Sequence, residues 1–175
     1  EIPVTTTLNG IGIFDENNYL SLGMLGMHGS TEANLAITNT DLIIALGARF
    51  DDRVTGKIKD FAVKADVIHI DIDPAEIAKI IETKVPITAD IKLALKELLP
   101  KIKEVKRPAW IKKIEEWRKI DQKSEPEKSE KLLPSEIIEN IYDLTKGKAI
   151  ITAGVGQHQM WAAQYYKYSH PRTFI

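Results

Sequence analysis

The run DLIIALG, residues 41–47, constrains this chain more than any other stretch. A continuous apolar run ending in glycine is the mark of a strand buried on both faces, as in a parallel sheet covered by helices. VIHIDID, residues 67–73, predicts a second strand, and Pro74 suits the first position of a helix over PAEIAKII. A short strand at Val85 to Thr88 leads to Asp90, a good N-cap for a helix over IKLALKELLPKI. Upstream, IPVTTT (residues 2–7) reads as a strand, followed by a glycine-bearing loop through Gly10 and Gly12. Ser30 or Thr31 can cap a helix carrying Ala33, Leu35, Ala36 and Ile37, with Asn39 as its stop. This alternation predicts an α/β fold, a doubly wound parallel sheet with helices on both faces.

Composition sets limits on what that sheet can serve. The 175 residues are 43% hydrophobic and 28% charged, a globular balance with room for one substantial core. A formal net charge of −1 disfavours nucleic acid and anionic membranes as partners. There is no cysteine, which excludes disulfides, thiolate metal sites and cysteine nucleophiles and fits a reducing, cytoplasmic setting. No apolar run approaches the roughly 20 residues of a spanning helix, so a soluble protein is expected. The abundance of Lys, Glu and Ile hints at a thermophilic source.

From Lys101 the character changes. RPAWIKKIEEWRKI is amphipathic, with Trp110, Ile114 and Trp117 at helical spacing on what reads as a packing face rather than a ligand platform. DQKSEPEKSEK is charged, contains Pro126 and lacks large apolar residues, the composition of a linker. Pro134 and Ser135 then open a helix over SEIIENIYDLT, KAIIT reads as a strand, and GVGQHQMWAAQYY reads as a glycine turn and a new helix. The expected organisation is one domain over residues 1–120, a linker over 121–133, and the start of a second α/β domain over 134–175.

Ligands of open parallel sheets bind beyond the carboxyl ends of the strands, and three such ends carry unusual residues. In LGMLGMHGS, read as a loop, Gly26 and Gly29 let backbone approach a ligand, and the amides of the next helix can receive an anion. His28 there is either a hydrogen-bonded structural residue or a ligand. In GARFDDRVTG, Arg49 can face a phosphate while Asp51 and Asp52 fix the loop, or the arginines and aspartates simply satisfy one another as surface ion pairs. In HIDID, Asp71 is placed to accept hydrogen bonds from ribose hydroxyls, whereas Asp73 can serve as a helix cap. Neither GxGxxG nor GxxxxGK[ST] is present, no Ser–His–Asp arrangement is suggested, and His28, His69, His158 and His170 form no obvious metal set. The residues by themselves reach a nucleotide site and no reaction.

Taken in order, LGMLGMHGSTEANLAITNTDLIIALGARFDDRVTGKIKDFA, VIHIDIDPAEIAK and GVGQHQMWAAQYY closely resemble the large catalytic subunit of acetolactate synthase, also called acetohydroxyacid synthase. The resemblance covers essentially the whole chain apart from residues 101 to 131. It implies a fragment of a three-domain enzyme: most of a Rossmann-like central domain that holds FAD, then the first elements of the thiamine diphosphate domain. On the family pattern Thr7, Leu8, Gly26, Met27, His28, Gly29, Gly47, Arg49, Asp51, Asp71 and Asp90 would line the FAD site. Val155, Gly156, Gln157 and His158 would contribute to the thiamine diphosphate site. The implied reaction joins two pyruvates, or pyruvate and 2-oxobutyrate, with loss of carbon dioxide.

The resemblance also implies Mg2+ in the complete enzyme, a homodimer or tetramer, and a regulatory small subunit. The family's activating glutamate and metal-holding segment have no counterpart here, so this stretch is expected to be inactive unaided. A non-catalytic FAD-binding module, or a piece of a relative such as pyruvate oxidase or glyoxylate carboligase, is the alternative.

Overall fold

The computed structural model describes residues 1–122 and 132–175. The linker expected over residues 121–133 falls mostly outside them. Among the described residues five strands and six α-helices follow one another in the order β1 (Val4–Thr6), β2 (Ser21–Met24), α1 (Thr31–Asn39), β3 (Leu42–Leu46), α2 (Asp52–Thr55), β4 (Asp66–Asp71), β5 (Val85–Thr88), α3 (Ile91–Leu98), α4 (Pro108–Gln122), α5 (Pro134–Thr145) and α6 (Gln157–Tyr165). All named strand pairs are parallel: β1 with β2 in one sheet, and β3-β4-β5 in another. The parallel α/β class expected from the alternation is therefore observed. Among the described residues no helix is long and apolar enough to cross a membrane.

The chain forms two compact units, one of Glu1 and Leu35–Lys106, the other of Ile2–Asn34 and Arg107–Ile175. In the first, β3 runs in unbroken register beside β4 from Leu42↔Asp66 to Leu46↔Ile70, and β4 continues beside β5 from Ile68↔Val85 to Asp71↔Thr88. Ile43, Ala45 and Val67 project to one face and close a core with Phe50 and Ala62. The other face of β3 is wetter than the apolar run led one to expect, with Leu42 44% and Leu46 40% exposed. Five consecutive apolar residues thus mark a strand with one closed face.

In the second unit, Ile11, Met24, Ala163, Tyr166 and Tyr168 form the core, against which Leu8, Ile138, Tyr142 and Phe174 pack. Four of these are aromatic rings in a chain of contacts from Tyr142 through Tyr166 and Tyr168 to Phe174, with centroids 4.8–5.4 Å apart. Tyr168 Oη donates to the Ala162 carbonyl at 3.1 Å, and burial holds its phenol above the ordinary range. In α4, Ile114 is buried and Trp110 meets Trp117 edge to face at 5.6 Å, with Lys113 over both rings. The tryptophan stripe is therefore a packing feature, as its spacing suggested.

Three expected elements differ. The helix over 74–81 is a series of turns, because Ala78 takes φ +58° and the bonds from Glu76 to Asp73 and from Lys79 to Glu76 span three residues. An L-residue in the left-handed region cannot continue an α-helix. The strand over KAIIT reduces to a single parallel bridge, Ile151 with Phe174. Conversely, residues 22–24, read as the start of a loop, belong to β2, whose Ser21, Leu22 and Met24 are all buried.

Candidate functional site

Within the first unit, the expected ligand residues gather where the chain leaves three parallel strands. Gly47 follows β3 at φ +64°, and its amide donates to the Ile70 carbonyl at 2.9 Å, just past the last paired residues of β3 and β4. Two residues later the backbone reverses. Phe50 takes φ +55°, a conformation that costs a non-glycine residue of the order of 1–3 kcal/mol. Its buried ring packs edge-on against His69 at 5.2 Å and Phe61 at 6.1 Å, and this burial holds the strained turn. The consequence is that Phe50 points in while Arg49 stays exposed.

Asp51 then N-caps α2, its carboxylate accepting from Arg53 N at 3.0 Å and Val54 N at 3.2 Å. Among the described residues no ion pair joins Arg49 or Arg53 to Asp51 or Asp52. Mutual neutralisation is thus not what these charges do. Asp51 fixes the loop, and Arg49 presents an uncommitted cation beside it.

Asp71 is the last residue of β4 and is buried. Its Oδ1 accepts from Asp73 N at 2.9 Å, and its Oδ2 lies 3.9 Å from His69 Nε2. Asp73 accepts from Ala75 N at 2.9 Å, so it caps a turn rather than a helix. Asp90, two residues beyond β5, N-caps α3 by accepting from Leu93 N at 3.0 Å. Asp90→Ala should cost about 1 kcal/mol of unfolding free energy through that lost cap, measurable by urea titration; an unchanged midpoint would deny the cap its role.

The second unit carries the other expected residues. Thr7 and Leu8 leave β1, and Gly26, Met27, His28 and Gly29 leave β2, its parallel neighbour. Ser30 Oγ accepts from Ala33 N at 3.1 Å, so serine is the cap of α1. Gly26 sits at φ +106°, and a Cβ at Gly29 would lie 2.4 Å from the Met24 carbonyl oxygen and 2.7 Å from Gly26 N. Only glycine fits that second position. Met27 and His28 form the exposed crest; the His28 carbonyl accepts from Gln164 Nε2 at 2.8 Å, and no described hydrogen bond engages its ring. Val155, Gly156, Gln157 and His158, all exposed, open α6, whose N-terminus no side chain caps. Its first amides are therefore available to an anion.

The family model described as "Thiamine pyrophosphate enzyme, central domain" matches residues 1–98. The chain belongs to the thiamine pyrophosphate enzyme family. Its relatives include the acetolactate synthase large subunit of Cyanidium caldarium, 52% identical over 174 residues that cover 95% of this chain and 30% of that protein. The large subunit of Buchnera aphidicola is 44% identical over 99% of this chain and 31% of its own length. Rice chloroplastic acetolactate synthase 1 is 48% identical over 99% of this chain and 28% of its own. The resemblance to acetolactate synthase large subunits is thus borne out along nearly the whole sequence, and the chain spans about a third of the length of these curated relatives. In this thiamine pyrophosphate enzyme chain, no group of three or more His, Asp or Glu side chains among the described residues is placed to hold a metal ion.

Two residues that shape these loops escaped sequence reading. Phe50 looked like a core residue of no special position, and nothing local signals its left-handed turn. Asn34 acts on Gly26 from eight residues away, a separation no short motif encodes.

Proposed function

We propose that this chain supplies the flavin-holding elements, and the first diphosphate-holding elements, of an acetolactate synthase large subunit. The observation that carries the reading is 44–52% identity to such subunits over 95% or more of the chain. The proposed reaction joins two pyruvates, or pyruvate and 2-oxobutyrate, with loss of carbon dioxide, to give 2-acetolactate or 2-aceto-2-hydroxybutyrate.

The residues present fit a flavin dinucleotide. Arg49 offers an exposed guanidinium to a diphosphate, and Asp71 offers carboxylate lone pairs to ribose hydroxyls. Gly47, Asp51 and Asp90 hold the adjoining strand ends, while Thr7, Leu8 and the turn Gly26–Met27–His28–Gly29 are proposed as further FAD contacts. The uncapped start of α6 fits a diphosphate as well, and Val155, Gly156, Gln157 and His158 are assigned to thiamine diphosphate. That cofactor, when bound, supplies the electron sink for decarboxylation. FAD is assigned a structural part. Mg2+ has no ligand set in the described residues and is assigned to the remainder of the subunit.

Residues 1–120 are assigned to the central domain, 121–133 to a linker and 134–175 to the thiamine diphosphate domain. Assembly as a homodimer or tetramer with a regulatory small subunit, in the cytoplasm, completes the proposal. The test is acetolactate formation from pyruvate by the full-length subunit carrying this sequence, supplied with thiamine diphosphate, Mg2+ and FAD. Colorimetric detection of acetolactate is the expected result; pyruvate consumed to acetyl phosphate or acetaldehyde instead would overturn it.

A further inference from the structure

We infer that Asn34 is a positioning residue, which holds the turn Gly26–Gly29 in the shape that receives FAD. The inference rests on the flavin reading above and adds a residue to it. Asn34 lies in the first turns of α1, and both polar atoms of its side chain reach back to one residue. Its Oδ1 accepts from Gly26 N at 3.0 Å, and its Nδ2 donates to Gly26 O at 3.0 Å. Among side chains that are uncharged at neutral pH, only a carboxamide presents an acceptor and a donor side by side in one plane.

Gly26 is the residue that most needs such a clamp. It is buried and sits at φ +106°, where a glycine free of restraint would sample many conformations. The remaining bonds of the turn converge on the same point. Gly29 N also donates to Gly26 O at 2.9 Å, Ser30 N donates to Met24 O at 3.0 Å, and Ser30 Oγ donates to Leu22 O. The base of the turn is thereby pinned from α1. No hydrogen bond among the described residues takes up the amides of Met27 and His28 at its exposed crest. A turn with a fixed base and free outward donors is pre-organised for a polar ligand, so that little ordering is left to be done on binding.

The test titrates FAD into the full-length apo-subunit, with reconstitution followed by quenching of flavin fluorescence and, separately, by activity, and compares wild type with Asn34→Asp and Asn34→Ala. Aspartate keeps the size and the bond from Gly26 N but sets a carboxylate against Gly26 O; alanine removes both bonds. With both bonds to Gly26 gone, the FAD concentration for half-maximal reconstitution should rise about ten-fold or more in Asn34→Ala. The rate at saturating FAD and the half-saturating concentration of thiamine diphosphate should stay at wild-type values, a split that a general loss of folding cannot produce. The inference is overturned if both variants reconstitute at the wild-type FAD concentration, or if the two cofactor requirements rise in parallel. A wild-type subunit that takes up no FAD would instead sink the flavin reading itself, and this inference with it.

Discussion

Replacing Tyr166 by alanine should destabilise the second unit by about 3–5 kcal/mol, the range for removing a large buried ring. Tyr166 is only 1% exposed and lies between Tyr142 and Tyr168, with ring centroids 5.2 and 4.8 Å away. Its hydroxyl shares a hydrogen bond with Thr145 Oγ1 at 3.0 Å and accepts from Ala149 N at 3.1 Å, so it ties the end of α5 to the segment that follows. Alanine would leave a cavity and, at Ala149 N, a half-buried donor without its partner. Tyr166→Phe separates the two effects, since it keeps the ring and removes only the hydroxyl; a loss of about 1–2 kcal/mol is expected. Urea unfolding followed by near-ultraviolet circular dichroism measures both. Equal losses for the two variants would mean that the hydroxyl, and not ring packing, holds this core.

The second large effect concerns Arg49. Its exposed guanidinium follows a glycine turn and precedes a strained, buried Phe50, and no acidic neighbour among the described residues neutralises it. Such a cation is available to a diphosphate, and charge-assisted bonds of this kind are worth about 1.5–3 kcal/mol. Arg49→Ala should therefore weaken FAD binding by about ten- to a hundred-fold while leaving the melting temperature of the apo-protein unchanged. Arg49→Lys should recover only part of the loss, because an ammonium cannot make the forked contact. Unaltered FAD affinity in the alanine variant would remove Arg49 from the site.

What could be read in the sequence follows from how local each signal is. The span of β5 and the capping of α3 by Asp90 were legible because the β-run, the aspartate and the amphipathic helix lie within one short window. The parallel class was legible because apolar runs alternate with helical ones. By contrast, β2 was hidden in glycine-rich LGM, where the pattern of buried Ser21, Leu22 and Met24 has no recognisable period. The turns over 74–81 were hidden by good helix-forming residues, and only the left-handed Ala78 betrays them. The candidate site divides along the same line. Strand-end positions such as Gly47 and Asp71 could be placed from the order of elements, whereas the support given by Phe50 depends on rings that meet only in the fold, and that given by Asn34 on a side chain that reaches backbone eight residues away.

The most direct measurement is equilibrium binding of FAD to the full-length subunit carrying this sequence, followed by flavin fluorescence and thermal unfolding together. A ligand that binds the folded state alone must raise its apparent stability. Saturable quenching and a rise in melting temperature that follows FAD concentration are expected, both diminished in Arg49→Ala. A folded subunit that neither quenches flavin nor gains stability from it would mean that these strand ends and turns hold no flavin.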